Sequence, residues 1–415
     1  MNNICIFEDS HYKKLLPLVW TKAVYELRCG ASFLLEKITR HYKNHNVYLY
    51  CRDYIEPVLK ERYRYFVNTK IKGEKILFIN GRVLIKDKIK LISEEEIGVK
   101  DKTLVYAFLK KENAEILTPE LFLLENNIVG KLKNNKIKIR KVEFELITYP
   151  WDLINKNSEE IVSDFKLVIK KGRINEKIYK GVNILNKSQV YIGKGSKIKP
   201  GVVLDAEEGP IYIGKDVLVE PNAVIQGPVF IGDKSIIRPG AKIREGTSIG
   251  EFCRVGGEVE KSIIHSYSNK QHDGFLGHSY IGSWCNLGAG TNTSDLKNNY
   301  STVKVYIDSK EVDSGLMFVG LTMADHSKSA IGTQFNTGTV VGVSCNVFGN
   351  KIPPKYVPSF SWGILDESKE YKLEKAIETA KKVMLRRNVK ISDAEINLLK
   401  KVFELTQRER MSKSR

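Results

Sequence analysis

The chain has few cysteines for its 415 residues: Cys5, Cys29, Cys51, Cys253, Cys285 and Cys345, with no Cys-x-x-Cys pair among them. That scatter argues against a disulfide framework and a thiolate zinc module, and it fits a reducing compartment. No apolar run reaches the roughly 20 residues that a membrane-spanning helix needs. Residues 1–7 pass directly into a strand-like pattern instead of a charged segment followed by an apolar one, so the expectation is a cytoplasmic protein with no membrane partner. Acidic residues are in deficit as well, 49 Asp and Glu against 67 Lys and Arg, which leaves a formal net charge of +18. Such a surplus favours anionic partners. The basic residues are spread through Asn- and Ile-rich sequence with no compact block and no interleaved aromatics, which argues against nucleic acid. Sugar phosphates, nucleotides and coenzyme A remain as the anions to expect.

What the sequence does contain is a strict period. Ile213, Val219, Ile225, Ile231, Ile237, Ile243, Ile249 and Val255 stand six residues apart. Six is neither a helical period nor a plain strand alternation. It fits a coil with three short sides per turn, in which each aliphatic residue returns to an interior position: a left-handed parallel β-helix of hexapeptide repeats. Ile213-Gly214, Ile231-Gly232, Ile249-Gly250, Pro221-Asn222 and Pro239-Gly240 fall at its corners. The repeat by itself builds only a rod, so chemistry is expected where the period breaks, at 205–209 and in a longer excursion over 263–275.

Ahead of the repeat, short apolar runs at 4–7, 47–51, 76–79, 104–109 and 142–147 alternate with amphipathic stretches such as 33–42 and 54–63. That alternation predicts a Rossmann-like α/β domain with a mainly parallel sheet over 1–150. Residues 151–181 read as a helical connector and 182–350 as the β-helix, with coils from about Val182 to Phe348 ended by Pro353-Pro354 and Pro358. Residues 351–415 read as a helical extension. Beyond Asp366, Leu373, Ala376, Ile377, Ala380, Val383 and Met384 trace one helical face, and Ser392 with Glu395 predicts a capping box for a second helix.

Several motifs carry a resemblance. Arg238-Pro239-Gly240-Ala241, then a loop histidine, His272, then Leu276-Gly277, Ile281-Gly282 and Asn286-Leu287-Gly288-Ala289-Gly290-Thr291 are similar to the acetyltransferase half of GlmU. Phe7-Glu8-Asp9-Ser10, Leu27-Arg28-Cys29-Gly30, Phe78-Ile79-Asn80-Gly81-Arg82, Tyr149-Pro150-Trp151-Asp152 and Phe335-Asn336-Thr337-Gly338-Thr339 resemble its divergent, Bacteroidetes-type GlmU-like branch. The resemblance covers nearly the whole chain. It implies a transferase of sugar-nucleotide metabolism that uses acetyl-CoA as acyl donor and an amino-sugar phosphate as acceptor, works as a homotrimer, and carries a nucleotidyltransferase-type domain in front.

In the residues this resemblance implies, His272 is the catalytic general base, because an amine must lose a proton to attack a thioester and imidazole titrates near neutral pH. Arg238 holds the sugar phosphate through its planar fork. Asn286 contacts the sugar, and His326, next to Asp325, is a further candidate for the site. Three positions depart from the family pattern: Asn269, beside Lys270, stands for a phosphate-binding Lys, Phe275 for a Tyr, and Asp295 for an Asn. Phe275 has no hydroxyl to donate, which leaves the acceptor sugar open.

In the N-terminal domain, Glu8 and Asp9 replace a Gly-rich phosphate loop, Lys22 and Arg28 follow at plausible spacing, and Asn80-Gly81-Arg82 puts Arg where an Asp would ligate Mg²⁺. Two readings follow: an altered nucleotidyltransferase that holds Mg²⁺ and NTP through Glu8 and Asp9, or a domain that binds a sugar nucleotide without turning it over. For the whole chain the alternatives are a catalytically silent sugar-nucleotide-binding scaffold and a zinc hydratase of the gamma carbonic anhydrase type, the latter invited by His265, His272, His278 and His326. The metal ligands themselves are not legible in the sequence.

Overall fold

Four of the five apolar runs in the first 150 residues become strands of one seven-stranded sheet in a computed structural model of the chain. The model describes residues 3–124, 128–133, 137–168, 177–308, 310–365 and 368–411. The sheet runs in the order Lys138–Lys141, Glu96–Lys100, Thr103–Lys110, Lys75–Asn80, Asn3–Phe7, Asn46–Tyr50, Phe66–Val67. Thr103–Lys110 lies antiparallel to both its neighbours, and the remaining pairs are parallel. The fifth run, 142–147, does not join this sheet. Its Glu145–Leu146 pairs antiparallel with Val83–Leu84, while the more polar Lys138–Lys141 takes the sheet edge. Asn3–Phe7 is buried throughout, as a central strand covered on both faces must be, and the Phe7 ring stacks on Phe122 at 3.9 Å.

The chain divides into two compact units, one of residues 1–15, 21–27 and 32–148, the other of 16–20, 28–31 and 149–415. The first unit therefore ends close to the expected boundary at 150 but gives up two short internal segments to the second.

In the second unit the six-residue period forms a three-sided coil with every side in parallel register. On one side Ile213, Ile231 and Ile249 pair in succession, on the next Val219, Ile237 and Val255, on the third Leu204, Ile225 and Ile243. All of these side chains are fully buried. Each adds about 1.5–3 kcal/mol of apolar burial, which lets strands of only two or three residues persist.

Two expectations about this coil need correction. The 263–275 segment does not leave the coil: Ile263–Ile264, Asn269–Lys270 and Phe275–Gly277 continue the three sides in order. The six-residue count is upset just before them, where Val255, Val259 and Ile264 follow at shortened steps without expelling the chain. The true insertion comes later, because Tyr280–Ile281 pairs directly with Thr322–Met323 and the intervening chain carries an antiparallel hairpin, Lys304–Ile307 with Lys310–Asp313. Val303, Val305, Ile307 and Val319 pack there with Trp151, at the start of the helix Pro150–Val168. The coil also outruns 182–350 at both ends. Lys177–Ile178 already pairs with Lys197–Ile198, and Tyr356–Val357 extends one side past Pro353-Pro354 and Ser361–Trp362 another past Pro358, the prolines lying outside the paired strands where no ladder donor is lost.

The extension holds the helices Leu373–Leu385 and Asp393–Leu405, and Ser392 with Glu395 closes the expected capping box. Both helices pack on their own coil: Arg387 Nη2 donates to Asn269 Oδ1 at 2.7 Å, and Phe403 meets Phe360 edge-on at 5.0 Å. Asp366 lies outside the described residues.

Candidate functional site

In the first unit, the motif residues come together but face one another. Asp9, at the end of the central strand, accepts from Arg82 Nε at 2.9 Å and Nη2 at 2.6 Å, and from Asn80 Nδ2 at 2.8 Å. Arg82 spends its remaining nitrogen on the Ile147 carbonyl at 2.7 Å. Burial raises the Asp9 carboxyl pKa, but the adjacent Arg82 charge outweighs it and holds the group well below the usual range. Glu8 is engaged in the same way, accepting from Arg52 Nε and Nη2 at 3.1 Å each and from the Val24 amide at 2.8 Å.

The expectation that Glu8 and Asp9 hold Mg²⁺ does not fit this donor set, because each carboxylate already meets a buried guanidinium fork and a cation would have to displace it. Arg82, 1% exposed, is likewise not presented to a phosphate. Lys22 is buried, and its carbonyl accepts from Arg52 Nη2 at 2.8 Å. Arg28 does not join this group: it belongs to the second unit, where Nη2 bonds both oxygens of Glu251 at 2.8 and 2.7 Å and its amide donates to the Tyr280 hydroxyl at 3.0 Å.

In the coil, the run 269–272 shows why sequence order misleads about sidedness. Lys270 stands in register with Val255, so its side chain enters the interior position that the other coils fill with aliphatics. There its ammonium donates to the carbonyls of Gly256 at 3.1 Å and His272 at 3.0 Å. Burial pushes its pKa down to about 8 against a smaller opposing pull from Asp273. Lys270 is thus an internal clamp, which corrects its expected role as an outward substrate contact. The clamp fixes the turn carrying His272, and the Asp273 carbonyl accepts from the Gly290 amide of the next coil at 3.0 Å. The His272 ring is exposed on that held turn.

Arg238 lies two coils back in the same column, half-buried and ion-paired to Glu220 at 2.8 Å. Between them is Gly256, where a Cβ would meet the Gln271 carbonyl oxygen at 2.5 Å and the Arg238 Cβ at 3.0 Å. The glycine lets the histidine turn pack close against the arginine side chain.

Around the corner from that turn is a second group. Gly277 lets two neighbours approach, since a Cβ there would meet Asp295 Oδ2 at 2.3 Å and Phe275 Cζ at 2.5 Å. Asp295 Oδ2 lies 2.8 Å from His278 Nδ1, and the His278 ring stacks on Phe318 of the insertion at 5.0 Å. Phe275 and Asp295, both expected at the site, are therefore brought together, joined by His278, which sequence reading placed only in a loose histidine set. Its partner is seventeen residues away, a separation that carries no sequence signal.

Glu260, His278 and Asp295 offer ligand atoms within 4.8 Å of one another, the one such trio with a histidine among the described residues. Arg244 Nη1 already holds Glu260 at 2.7 Å, so one of the two carboxylates has a cationic partner. Of the four histidines behind the zinc reading, only His278 belongs to it. His265 pairs with Ser283 Oγ at 2.8 Å, and the half-buried His326 lies parallel to Trp284 in a ladder of rings that continues through Tyr267 to Phe252. Asp325 accepts from the Ser283 amide at 2.8 Å. Asn286 lies outward on the coil side shared with Asn269 and Lys328.

Residues 4–173 match the family model described as sugar nucleotidyl transferase, and residues 210–245 the model for six repeats of the bacterial transferase hexapeptide. The bifunctional protein GlmU of Methanocaldococcus jannaschii is 27% identical over 311 residues, covering 71% of this chain and 67% of that protein. In both of its modules the chain is similar to GlmU. It carries the two transferase modules in GlmU order, a nucleotidyltransferase-type domain and then a hexapeptide β-helix. The GlmU of Methanococcus aeolicus is 31% identical over 224 residues, 53% of this GlmU-like chain but only 47% of its own length. The solved structure of a UDP-N-acetylglucosamine acyltransferase from Campylobacter jejuni covers 55% of the GlmU-like chain and 96% of its own, at 12% identity and a TM-score of 0.29, too low to bear on the site.

Proposed function

We propose that this GlmU-like protein transfers an acetyl group from acetyl-CoA to the amine of an amino-sugar phosphate on its β-helix. The observation that carries the reading is the close packing at Gly256, which brings a half-buried cationic fork up against a turn that is clamped from inside by Lys270 and carries an exposed imidazole. Arg238 exchanges Glu220 for the acceptor's phosphate. The neutral amine attacks the thioester carbonyl carbon, forming the C–N bond; the C–S bond breaks and its electron pair leaves on the thiolate. His272 removes the surplus proton from nitrogen and returns it to sulfur.

A second reading puts the base at His278, favoured by the 2.8 Å contact that lets Asp295 orient Nδ1 and leaves Nε2 for the amine. In both, the N-terminal domain binds a sugar nucleotide without Mg²⁺ chemistry through Glu8 or Asp9, because both carboxylates are held by arginines.

The test is free-thiol release from acetyl-CoA over a panel of hexosamine 1-phosphates. His272→Ala is expected to lower turnover about 10²- to 10⁴-fold, while Arg238→Ala raises the KM for the sugar phosphate. If His278→Ala shows the large turnover loss and His272→Ala does not, the base is His278. No thiol release with any acceptor would falsify the acyl-transfer reading.

A further inference from the structure

In one cleft of the second unit every charged residue of the lining is a cation. It has a volume of about 260 Å³ and lies between the outward side of the coil, at Arg254, Asn269, Asn286 and Lys328, and the end of the Leu373–Leu385 helix, at Arg386 and Arg387. Four positive charges line it and no carboxylate does. None of the four is ion-paired among the described residues, although the same coil pairs Arg238, Arg244 and Arg28 with glutamates.

The cations also disfavour one another. Burial and the nearby Arg254 charge lower the Arg387 pKa, and burial lowers that of Lys328. Arg254 Nε is buried with no hydrogen-bond partner among the described residues. The neutral groups present are suited to orienting a ligand: Asn269 already receives Arg387 Nη2 at 2.7 Å, which aims that guanidinium across the cleft. A pocket that gathers like charges and leaves a guanidinium donor unused is disfavoured when empty and relieved by an anion.

We propose that this cleft binds a phosphate or pyrophosphate group carried by a small molecule. Guanidinium forks match phosphate oxygens, and an enclosed cleft of this size suits a compact polyanion rather than the extended backbone of a nucleic acid. Neither Arg386 nor Arg387 was singled out by sequence, and the inference stands apart from the acyl-transfer reading, since it rests on charge and not on the packing at Gly256. Two sources of the phosphate fit equally well, coenzyme A and a sugar 1-phosphate.

The experiment is titration calorimetry on the full chain at low salt, with inorganic pyrophosphate as the probe. One site per chain is expected, weakened by added salt. Replacing Arg254 and Arg387 together by Gln should lower affinity at least about 10-fold, in line with the loss of charge-assisted bonds. Arg386→Gln changes only an exposed side chain and should lower affinity several-fold without a risk to folding, while Lys401→Gln, which removes the same charge from the last long helix, should leave binding unchanged. Displacement of pyrophosphate by coenzyme A, with 3′-dephospho-coenzyme A weaker, assigns the site to the nucleotide end of coenzyme A, and displacement by a hexosamine 1-phosphate assigns it to the sugar. Absence of pyrophosphate binding by the parent chain, or equal losses in Arg386→Gln and Lys401→Gln, overturns the proposal.

Discussion

At the scale of single residues, the informative positions are charges placed where the fold wants apolar atoms. Lys270 fills an aliphatic slot of the coil, and burial brings its pKa down from the ordinary lysine value to about 8. The unfolded chain therefore binds more protons than the folded one between that value and the ordinary one, so stability rises with pH across this window and the penalty is fully present below it. Urea unfolding at pH 7.5 and pH 10 should show the parent gaining stability relative to Lys270→Met. Equal pH dependence in the two proteins would mean that the ammonium is not buried.

Glu251 works in the opposite sense. Burial raises its pKa, but the Arg28 charge and the Ser266 hydroxyl outweigh that and bring it to about 2. Its contribution is present above the unfolded carboxyl pKa and is lost as pH falls through the folded value. The parent should lose stability toward pH 2 more steeply than Glu251→Gln, as read by thermal unfolding across that range. At neutral pH, Glu251→Ala strands a buried Arg28 and should cost about 3–5 kcal/mol.

Among elements, the coil and its insertion fail differently. An interior aliphatic such as Ile243 is fully buried between coils that stack in strict register, so Ile243→Ala opens a cavity with little room to collapse and should cost about 2–5 kcal/mol in chemical unfolding. The hairpin Lys304–Ile307 with Lys310–Asp313 is not part of that ladder and depends on a small cluster with Trp151. Trp151→Ala should accordingly speed amide exchange over 304–307 while leaving exchange at Ile231 and Ile249 near parent values. Uniform acceleration of all of them would show the hairpin and the coil to be one cooperative unit.

For the whole molecule, the prediction concerns assembly. GlmU-like acyltransferases of hexapeptide type are expected to work as trimers in which neighbouring coils complete each site, and the exposed His272 turn suits such sharing. Light scattering of the full chain should give three times the 47.2 kDa chain mass. A monomer that retains acyl transfer would defeat both the trimer and the shared site. Among the described residues no helix is long and apolar enough to cross a membrane, and the charge of +18 is carried by a surface that includes an unpaired cationic cleft.

The sequence by itself determined the repeat, because a six-residue aliphatic period has one compact solution in which every such side chain is buried. It determined the central strands of the first sheet, whose apolar runs need cover on both faces, and the Ser392–Glu395 cap, whose partners are three residues apart. It also led to Arg238 and His272 through local motifs, and the fold does set them along one column. Only the tertiary structure decided sidedness and pairing. Lys270 points inward because register, not composition, assigns each strand residue to a face. Glu8 and Asp9 are spent on Arg52 and Arg82, partners more than forty residues away. His278 finds Asp295 on the next coil, and Arg387 of the helical extension finds Asn269, pairings that no local pattern connects. A short corner and a long insertion both interrupt a period, and only strand pairing shows which one leaves the coil.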